Sequence, residues 1–274
     1  MKILLVGHVC IDVNESEHAA YTDWGSALMY MAHYFQKYLG TTPALLAPYG
    51  RDFQQYTQDI VLLSPPQEAP TLIYKNHTHN NKRVQQAEHS DSAQPLPLTK
   101  DTQAAMADAD IICVAPLLPN YSVDYLQNIL RFRKKGSLAV LLPQGYFRRI
   151  DTEGRVTQQD FAQADTIIPL FNLVIFSETD HPQSLRVAKQ WAKQSSSLII
   201  VCQASRGASW ITSDGTIHAI TTNQVPEDQI VDSVGCGDIF SAATMATYFS
   251  TRDIIPAVKA GNKAARDKLF IVGV

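Results

Sequence analysis

The residues best suited to chemistry lie late in the chain, in the sequence DSVGCGD at positions 232–238. Two glycines flank one small residue, an acid follows them, and an apolar run begins at Ile239. A helix that starts here leaves its first N–H groups unpaired at the positive end of its dipole, which favours an anion. Asp238 would lie beside that anion and could accept a proton from a hydroxyl that attacks phosphorus. The same spacing also fits a simple turn with an acid at the start of a helix.

The cysteines offer a second chemistry at the same loop. Cys10, Cys113, Cys202 and Cys236 are far apart and form no CxxC pair, so neither a zinc site nor a disulfide framework is indicated. The first three fall in apolar runs and are interpreted as reduced core thiols. Cys236 lies between the two glycines, where a helix N-terminus could lower the pKa of a thiol. A catalytic thiol is therefore an alternative, although no histidine partner lies nearby in the sequence.

The elements that must position these residues form an alternating pattern. Glycine and short connectors separate predicted helices from apolar runs typical of buried strands, at 2–7, 111–115, 138–142, 173–176 and 198–202. This alternation predicts a mainly parallel sheet with helices on both faces. A predicted hairpin over 71–86, with its turn at Asn80-Asn81, breaks the rhythm and is interpreted as a flap over the strand ends. The helix predicted from Ile239 is apolar on nearly all sides and should be buried.

Polar residues follow the strands at the edge where open α/β sheets bind ligands. Asp12 comes just after the first strand, and it could face a ligand or only stabilise a turn. Gln144 follows the strand at 138–142 and is a candidate for substrate contact. The sequence Ser177-Glu178-Thr179-Asp180 lies between another strand and a helix predicted to begin near Pro182.

Length, composition and charge limit the class of protein. The 274 residues are 45% hydrophobic and 18% charged, which fits one large α/β domain with a sizeable core. The net charge of −3 disfavours nucleic acid or an anionic membrane as the main partner. The first residues do not form a secretory signal and no apolar run reaches membrane-spanning length, so a soluble cytoplasmic protein is expected.

Several motifs together carry a resemblance to a known family. Residues 232–238 are similar to a D-T-x-G-A-G-D signature, with Ser for Thr and Cys for Ala. Residues 24–27 (WGSA) stand where that family has a Gly-Gly pair, 50–52 (GRD) resemble its G-x-D turn, and 205–208 (SRGA) resemble the turn before its nucleotide-side hairpin. The first strand and Asp12 resemble its opening strand and substrate-binding acid. The chain thus resembles, over almost its whole length, the ribokinase-like sugar and nucleoside kinases of the PfkB carbohydrate-kinase group.

The resemblance implies a ribokinase-like α/β fold with a small β lid, and ATP-dependent phosphorylation of a hydroxyl in a small sugar or polyol. Asp238 would be the general base, and the N–H groups around Gly235, Cys236 and Gly237 would form the anion hole for the transferred phosphoryl group. The acceptor substrate would be bound by Asp12, Gly25, Ser26 and Gln144. One domain, 1–274, is expected, with lid segments near 8–24 and 71–90 and a homodimer as an analogy to relatives.

On the donor side, the resemblance implies that ATP is bound by Ser205, Arg206, Gly207 and Asn262. The family's N-x-x-E element, linked to magnesium and phosphate, appears as residues 177–180, so Mg²⁺ is assigned to Glu178 or Asp180. Asp180 could instead cap the helix that is predicted to begin near Pro182.

Departures from the family pattern keep two alternatives open. Trp24 replaces a glycine of the Gly-Gly pair, so its ring is expected to narrow or reshape the acceptor site. Apolar Leu28 or Met29 replaces an asparagine, and Ala204 stands where a glycine is common. The alternatives are a nucleoside or vitamin kinase of the same fold, and a ligand-binding or regulatory member with weakened catalysis.

Overall fold

The computed structural model describes residues 1–16, 20–79 and 82–272. In that part of the chain the strands are, in order, β1 (Ile3–Gly7), β2 (Cys10–Ser16), β3 (Ala20–Gly25), β4 (Ala44–Leu46), β5 (Val61–Leu62), β6 (Ile73–His79), β7 (Lys82–Glu88), β8 (Ile111–Ala115), β9 (Leu138–Leu141), β10 (Arg148–Ile150), β11 (Val156–Gln158), β12 (Leu173–Ser177), β13 (Leu198–Cys202), β14 (Ala208–Ile211) and β15 (Ile217–Ile220). The helices are α1 (Ala27–Leu39), α2 (Lys100–Asp108), α3 (Val123–Leu130), α4 (Ala164–Ile167), α5 (Ser184–Gln194), α6 (Cys236–Thr251) and α7 (Ile254–Lys268). The turn predicted at Asn80-Asn81 lies outside the described residues.

A large sheet forms the centre of the molecule, with strand order β15-β14-β13-β12-β9-β8-β1-β4-β5. The strands from β13 to β5 pair in parallel, and β14 and β15 are antiparallel additions at one edge. The inner strands are continuous apolar runs because helices cover both of their faces. The predicted fold class, a mainly parallel sheet flanked by helices, is confirmed.

Alternation along each strand divides the core in two. Leu5 of β1 packs with α1, α6 and α7, whereas Leu4 and Val6 pack on the opposite face with α2, α3, α4 and α5. The apolar helix α6 is buried from Ile239 to Ala246, as its sequence predicts. Its neighbour α7 approaches it closely, because a β-carbon on Gly261 would overlap Thr244 of α6. None of the described helices is long and apolar enough to cross a membrane.

A small sheet lies beside the large one, in the order β3-β2-β6-β7. Strands β2 and β6 are parallel, and the other two pairs are antiparallel. The hairpin β10–β11 attaches to this sheet, with the Ala87 N–H donating to the Gly154 carbonyl at 2.7 Å. The sequence analysis missed this hairpin and also helix α2, because strands of three residues and a mostly polar helix show little hydrophobic periodicity.

Candidate active site

The candidate site begins where residues 232–238, here called the glycine loop, lead into α6. Gly235 precedes the helix with φ of 79°, a left-handed conformation that side chains other than glycine rarely adopt. A β-carbon on Gly235 would also overlap the ring of Tyr30 from α1. Both constraints favour glycine at this position.

The first turn of α6 presents N–H groups to open space. The Cys236 N–H donates to the Ser233 carbonyl at 3.3 Å, whereas those of Gly235, Gly237 and Asp238 donate to no backbone carbonyl among the described residues. No heavy atom lies within 4 Å of a β-carbon built on Gly237. The loop therefore has the free donors and the space that an anion needs.

The carboxylate of Asp238 lies at this opening and is half-buried. Burial and the neighbouring carboxylates of Asp180 and Asp12 raise the pKa of Asp238 to about 7, and the Arg148 guanidinium opposes part of that rise. Asp238 is thus poised to exchange a proton near neutral pH. Burial also raises the pKa of the Cys236 thiol to about 11, opposite to the lowering that a nucleophilic thiol requires.

Arg148 is the site residue that the sequence analysis did not single out. It begins β10, after a 3₁₀ turn over Pro143–Phe147, and its guanidinium lies 5.1 Å from the centre of the Tyr74 ring. Burial raises the pKa of Asp180 above its ordinary value, and the Arg148 charge opposes part of that rise, as it does for Asp238. The signal that could have identified it is its place shortly after Gln144, at the carboxyl end of a central strand.

Asp12 and Gly25 come together across the β2–β3 pair. A β-carbon on Gly25 would overlap the Asp12 carboxylate, so the absence of a side chain at Gly25 leaves the space that this carboxylate occupies. The Cys10 thiol donates to Asp12 Oδ1 at 3.4 Å. Ser26 is buried with φ of 100°, and its hydroxyl accepts from the Met29 N–H at 3.4 Å as the N-cap of α1. The substrate-binding roles of these residues stay predictions.

Trp24 does not lie over the Asp12 carboxylate. Because side chains alternate along a strand, the Trp24 ring is on the face of β3 opposite to the Gly25 position. It stacks on His33 with ring centres 4.6 Å apart, and it lies 4.9 Å from Tyr30. The ring therefore packs against Tyr30, whose own ring lies against Gly235. The expectation that Trp24 narrows or reshapes the acceptor site stays a prediction, and any such effect would act through Tyr30.

Asp180 faces the site and does not cap a helix. Its Oδ2 accepts from the Ser177 N–H at 2.8 Å, and its Oδ1 accepts from the Gln144 amide at 3.4 Å. The helix α5 starts only at Ser184 and has no side-chain cap. The neighbouring Glu178 pairs with Arg206. Within the described ranges, no three His, Cys, Asp or Glu side chains cluster as a metal site.

The predicted donor residues surround the turn after β13. Ala204 has φ of 48°, which explains why a glycine suits this position. A β-carbon on Gly207 would overlap the Ile220 carbonyl, and the Asn262 amide donates to that same carbonyl at 3.2 Å. The structure thus brings Gly207 and Asn262 to one point. Ser205 is exposed on the turn.

Several solved structures have a fold similar to that of this chain. A pyrophosphate-dependent kinase in the ribokinase family, solved with a pyrophosphate analog and myo-inositol, superposes with a TM-score of 0.77 at 15% identity over 97% of this chain and 94% of that chain. Anopheles gambiae adenosine kinase superposes with a TM-score of 0.77 at 13% identity, over 97% of this chain and 95% of that chain. The Methanocaldococcus jannaschii nucleoside kinase gives 0.73 at 17% identity, over 99% and 92%. These likenesses show the ribokinase fold.

Sequence comparison identifies the family. No curated protein sequence matches the chain. The model of the pfkB family of carbohydrate kinases matches residues 66–268, which is most of the chain, and the resemblance drawn from the motifs is thereby confirmed. This protein belongs to the pfkB family of carbohydrate kinases.

Proposed function

We propose that this kinase transfers the terminal phosphoryl group of ATP to a hydroxyl of a small sugar or polyol, with Asp238 as general base. The observation that carries the proposal is the position of Asp238, at the open start of α6 and with its pKa raised to about 7. A carboxylate with this pKa is a stronger base than an unperturbed aspartate, and it is still substantially ionised at neutral pH.

The residues of the site divide the reaction between proton transfer and charge stabilisation. Asp12 accepts hydrogen bonds from the acceptor and directs one hydroxyl toward Asp238. The proton of that hydroxyl passes to Asp238 while its oxygen forms a bond to phosphorus and the bond to the leaving phosphate breaks. The N–H groups of Gly235 and Gly237 stabilise the negative charge on the phosphoryl oxygens.

The residues between β12 and α6 fit Mg²⁺ and the phosphates of the donor. Gly237 leaves free the space that a β-carbon would fill. Glu178 and Asp180 offer carboxylate oxygens, and Mg²⁺ at such sites is held by one or two carboxylates together with phosphates and water. When bound, Mg²⁺ would neutralise charge on the phosphates. The nucleotide is assigned to the turn and helix that carry Ser205, Arg206, Gly207 and Asn262.

The polar wall around Asp12 supports a polyhydroxylated acceptor. Asp12, Gln144 and Arg148 bring a carboxylate, an amide and a guanidinium to one region, which matches several hydroxyls on a small molecule. We assign the lid to segments 8–24 and 71–90 within one domain of residues 1–274. The small sheet formed by these segments would exclude water as it closes over the acceptor.

The test is phosphoryl transfer from ATP–Mg²⁺, and separately from inorganic pyrophosphate, to a panel of sugars, polyols, nucleosides and hydroxylated vitamins. We expect turnover with ATP and a sugar or polyol, and its loss in the Asp238→Asn variant. Turnover confined to nucleosides or vitamins would replace the acceptor class. Binding of ATP without turnover of any acceptor would favour a member with weakened catalysis and would contradict the proposal.

A further inference from the structure

Lys268 is a buried cation at the last turn of α7, directly beside the glycine loop. Its side chain is only 1% exposed, and a lysine at this depth needs its ammonium group fully paired. Three oxygen atoms meet this need: Lys268 Nζ lies 2.7 Å from Asp232 Oδ2, 3.3 Å from the Asp232 carbonyl and 3.2 Å from the Ile271 carbonyl. The three donors of the ammonium group therefore all have acceptors.

Asp232 carries this interaction into the glycine loop. While its Oδ2 is held by Lys268, its Oδ1 accepts from the Val234 N–H at 2.9 Å. The backbone adds a further link, because the Val231 N–H donates to the Leu269 carbonyl at 2.8 Å. The chain is thus tied to the end of α7 immediately before it turns at Gly235.

The helix that carries Lys268 is itself held in place. Gly261 of α7 lies against Thr244 and Phe240 of α6, so closely that a β-carbon on Gly261 would overlap both side chains. The ammonium group therefore has a fixed position relative to α6, which carries Asp238 in its first turn. A buried ion pair adds little net stability, because desolvation offsets its Coulomb energy, so this pair calls for another role.

We propose that Lys268 is a positioning residue that holds Asp232 and thereby fixes the N–H groups of Gly235 and Gly237 where charge develops during phosphoryl transfer. The inference rests on the proposed function of the glycine loop. Lys268 itself touches neither substrate. A group that sets the geometry of transition-state donors should affect kcat more than acceptor binding, since a displacement of about 1 Å can cost 10²-fold in rate.

The first experiment compares Lys268→Ala with Lys263→Ala, a matched control on the same helix whose side chain is 77% exposed. We expect amide hydrogen exchange to become faster in residues 231–238 of Lys268→Ala and in the adjoining residues 269–272, with more distant regions and the control unchanged. We also expect kcat to fall about 10²-fold with little change in acceptor KM, and added methylammonium to restore part of it. Uniformly faster exchange, or unchanged exchange in this segment, would overturn the proposal.

The second experiment covers the case in which Lys268→Ala does not fold. Lys268→Met combined with Asp232→Asn removes both charges, so no unpaired charge stays buried and the protein should fold. We expect this double variant to have the same low kcat and the same rapid amide exchange at 231–238 that are expected for Lys268→Ala. A kcat equal to that of the parent would overturn the proposal. If the parent protein phosphorylates no acceptor, the proposed function fails, but the exchange data still decide whether Lys268 holds the loop.

Discussion

The two halves of the site are built in different ways. The half assigned to phosphoryl transfer is local, because Gly235, Gly237 and Asp238 lie within four residues at the start of α6. The half assigned to the acceptor is dispersed in the sequence, because Asp12 comes from β2 and Arg148 from β10, and several elements separate these two strands along the chain. The phosphoryl-transfer half depends on the backbone conformation of a single loop, whereas the acceptor half depends on how separate elements pack.

This difference predicts which kinetic constant each substitution changes. A change in the glycine loop alters the place where charge develops, so it should lower kcat. A change around Asp12 alters the placement of the bound acceptor, so it should mainly raise KM. Asp238 belongs to both halves, since the Asp12 carboxylate also contributes to its raised pKa.

The largest effect is expected at Asp238. We predict that Asp238→Asn lowers kcat by about 10²–10⁴-fold, the usual contribution of a general base, because the amide cannot take the hydroxyl proton. Donor affinity, measured by calorimetry with ATP–Mg²⁺, should stay near the parental value. A variant with parental kcat would remove Asp238 from the role of base.

The next effect separates the two glycines of the loop. Gly237→Ala should fold as well as the parent, because its new methyl group meets no heavy atom within 4 Å. Its kcat should nevertheless fall about 10²-fold, because the methyl group would occupy the space proposed for the transferred phosphoryl group. Gly235→Ala should instead lose about 1–3 kcal/mol of unfolding free energy, because of the φ of 79° alone, and the overlap with Tyr30 adds to the loss. Denaturant unfolding and steady-state kinetics measure both. Parental kcat in Gly237→Ala would place the phosphoryl group elsewhere.

A substitution in the acceptor half should act on KM. The methyl group of Gly25→Ala would overlap the Asp12 carboxylate and displace it. We predict that acceptor KM rises about tenfold, equivalent to about 1.4 kcal/mol of binding, while kcat changes less. Thr22→Ala, exposed on the same strand, is the control. If Gly25→Ala lowered kcat alone, the two halves would not be separable.

The pH profile tests the electrostatic link between the halves. Because the base form of Asp238 is the carboxylate, activity should rise with pH through about 7. The Arg148 cation lowers the pKa of Asp238, so Arg148→Met should raise that pKa and move the acid limb of log kcat/KM to higher pH by up to about one unit. The exposed neighbour offers the control Arg149→Met. An unmoved limb would show that Arg148 does not act on Asp238.

The smallest effect is expected at Cys236. Its thiol has a pKa raised to about 11 and stays protonated at neutral pH, so Cys236→Ala should keep a kcat near that of the parent. Treatment of the parent with iodoacetamide at pH 7 should likewise be slow, as followed by mass spectrometry. A loss as large as that of Asp238→Asn would restore the catalytic thiol as an alternative.

The sequence predicted most of the large sheet and the loop before α6, because their signals are local. Buried parallel strands are continuous apolar runs, and β13 was predicted with the bounds Leu198–Cys202 that the structure has. In the small sheet, the hairpin of β6 and β7 was predicted from β-rich residues on either side of a turn signal, whereas β2 and β3 were not predicted as strands. The hairpin of β10 and β11 was also not predicted, because strands this short become stable only by pairing and by packing on neighbouring elements.

What the sequence determined by itself was the family, the fold class and the candidate base, since glycine preferences and hydrophobic periodicity act within a few residues of the chain. The tertiary structure alone decided that the Trp24 ring stacks on His33, that the Arg148 charge lies near Asp238, and that Lys268 pairs with Asp232. Each of these depends on which elements lie side by side. Burial and charge then act between residues far apart in the chain, and no local pattern encodes that proximity.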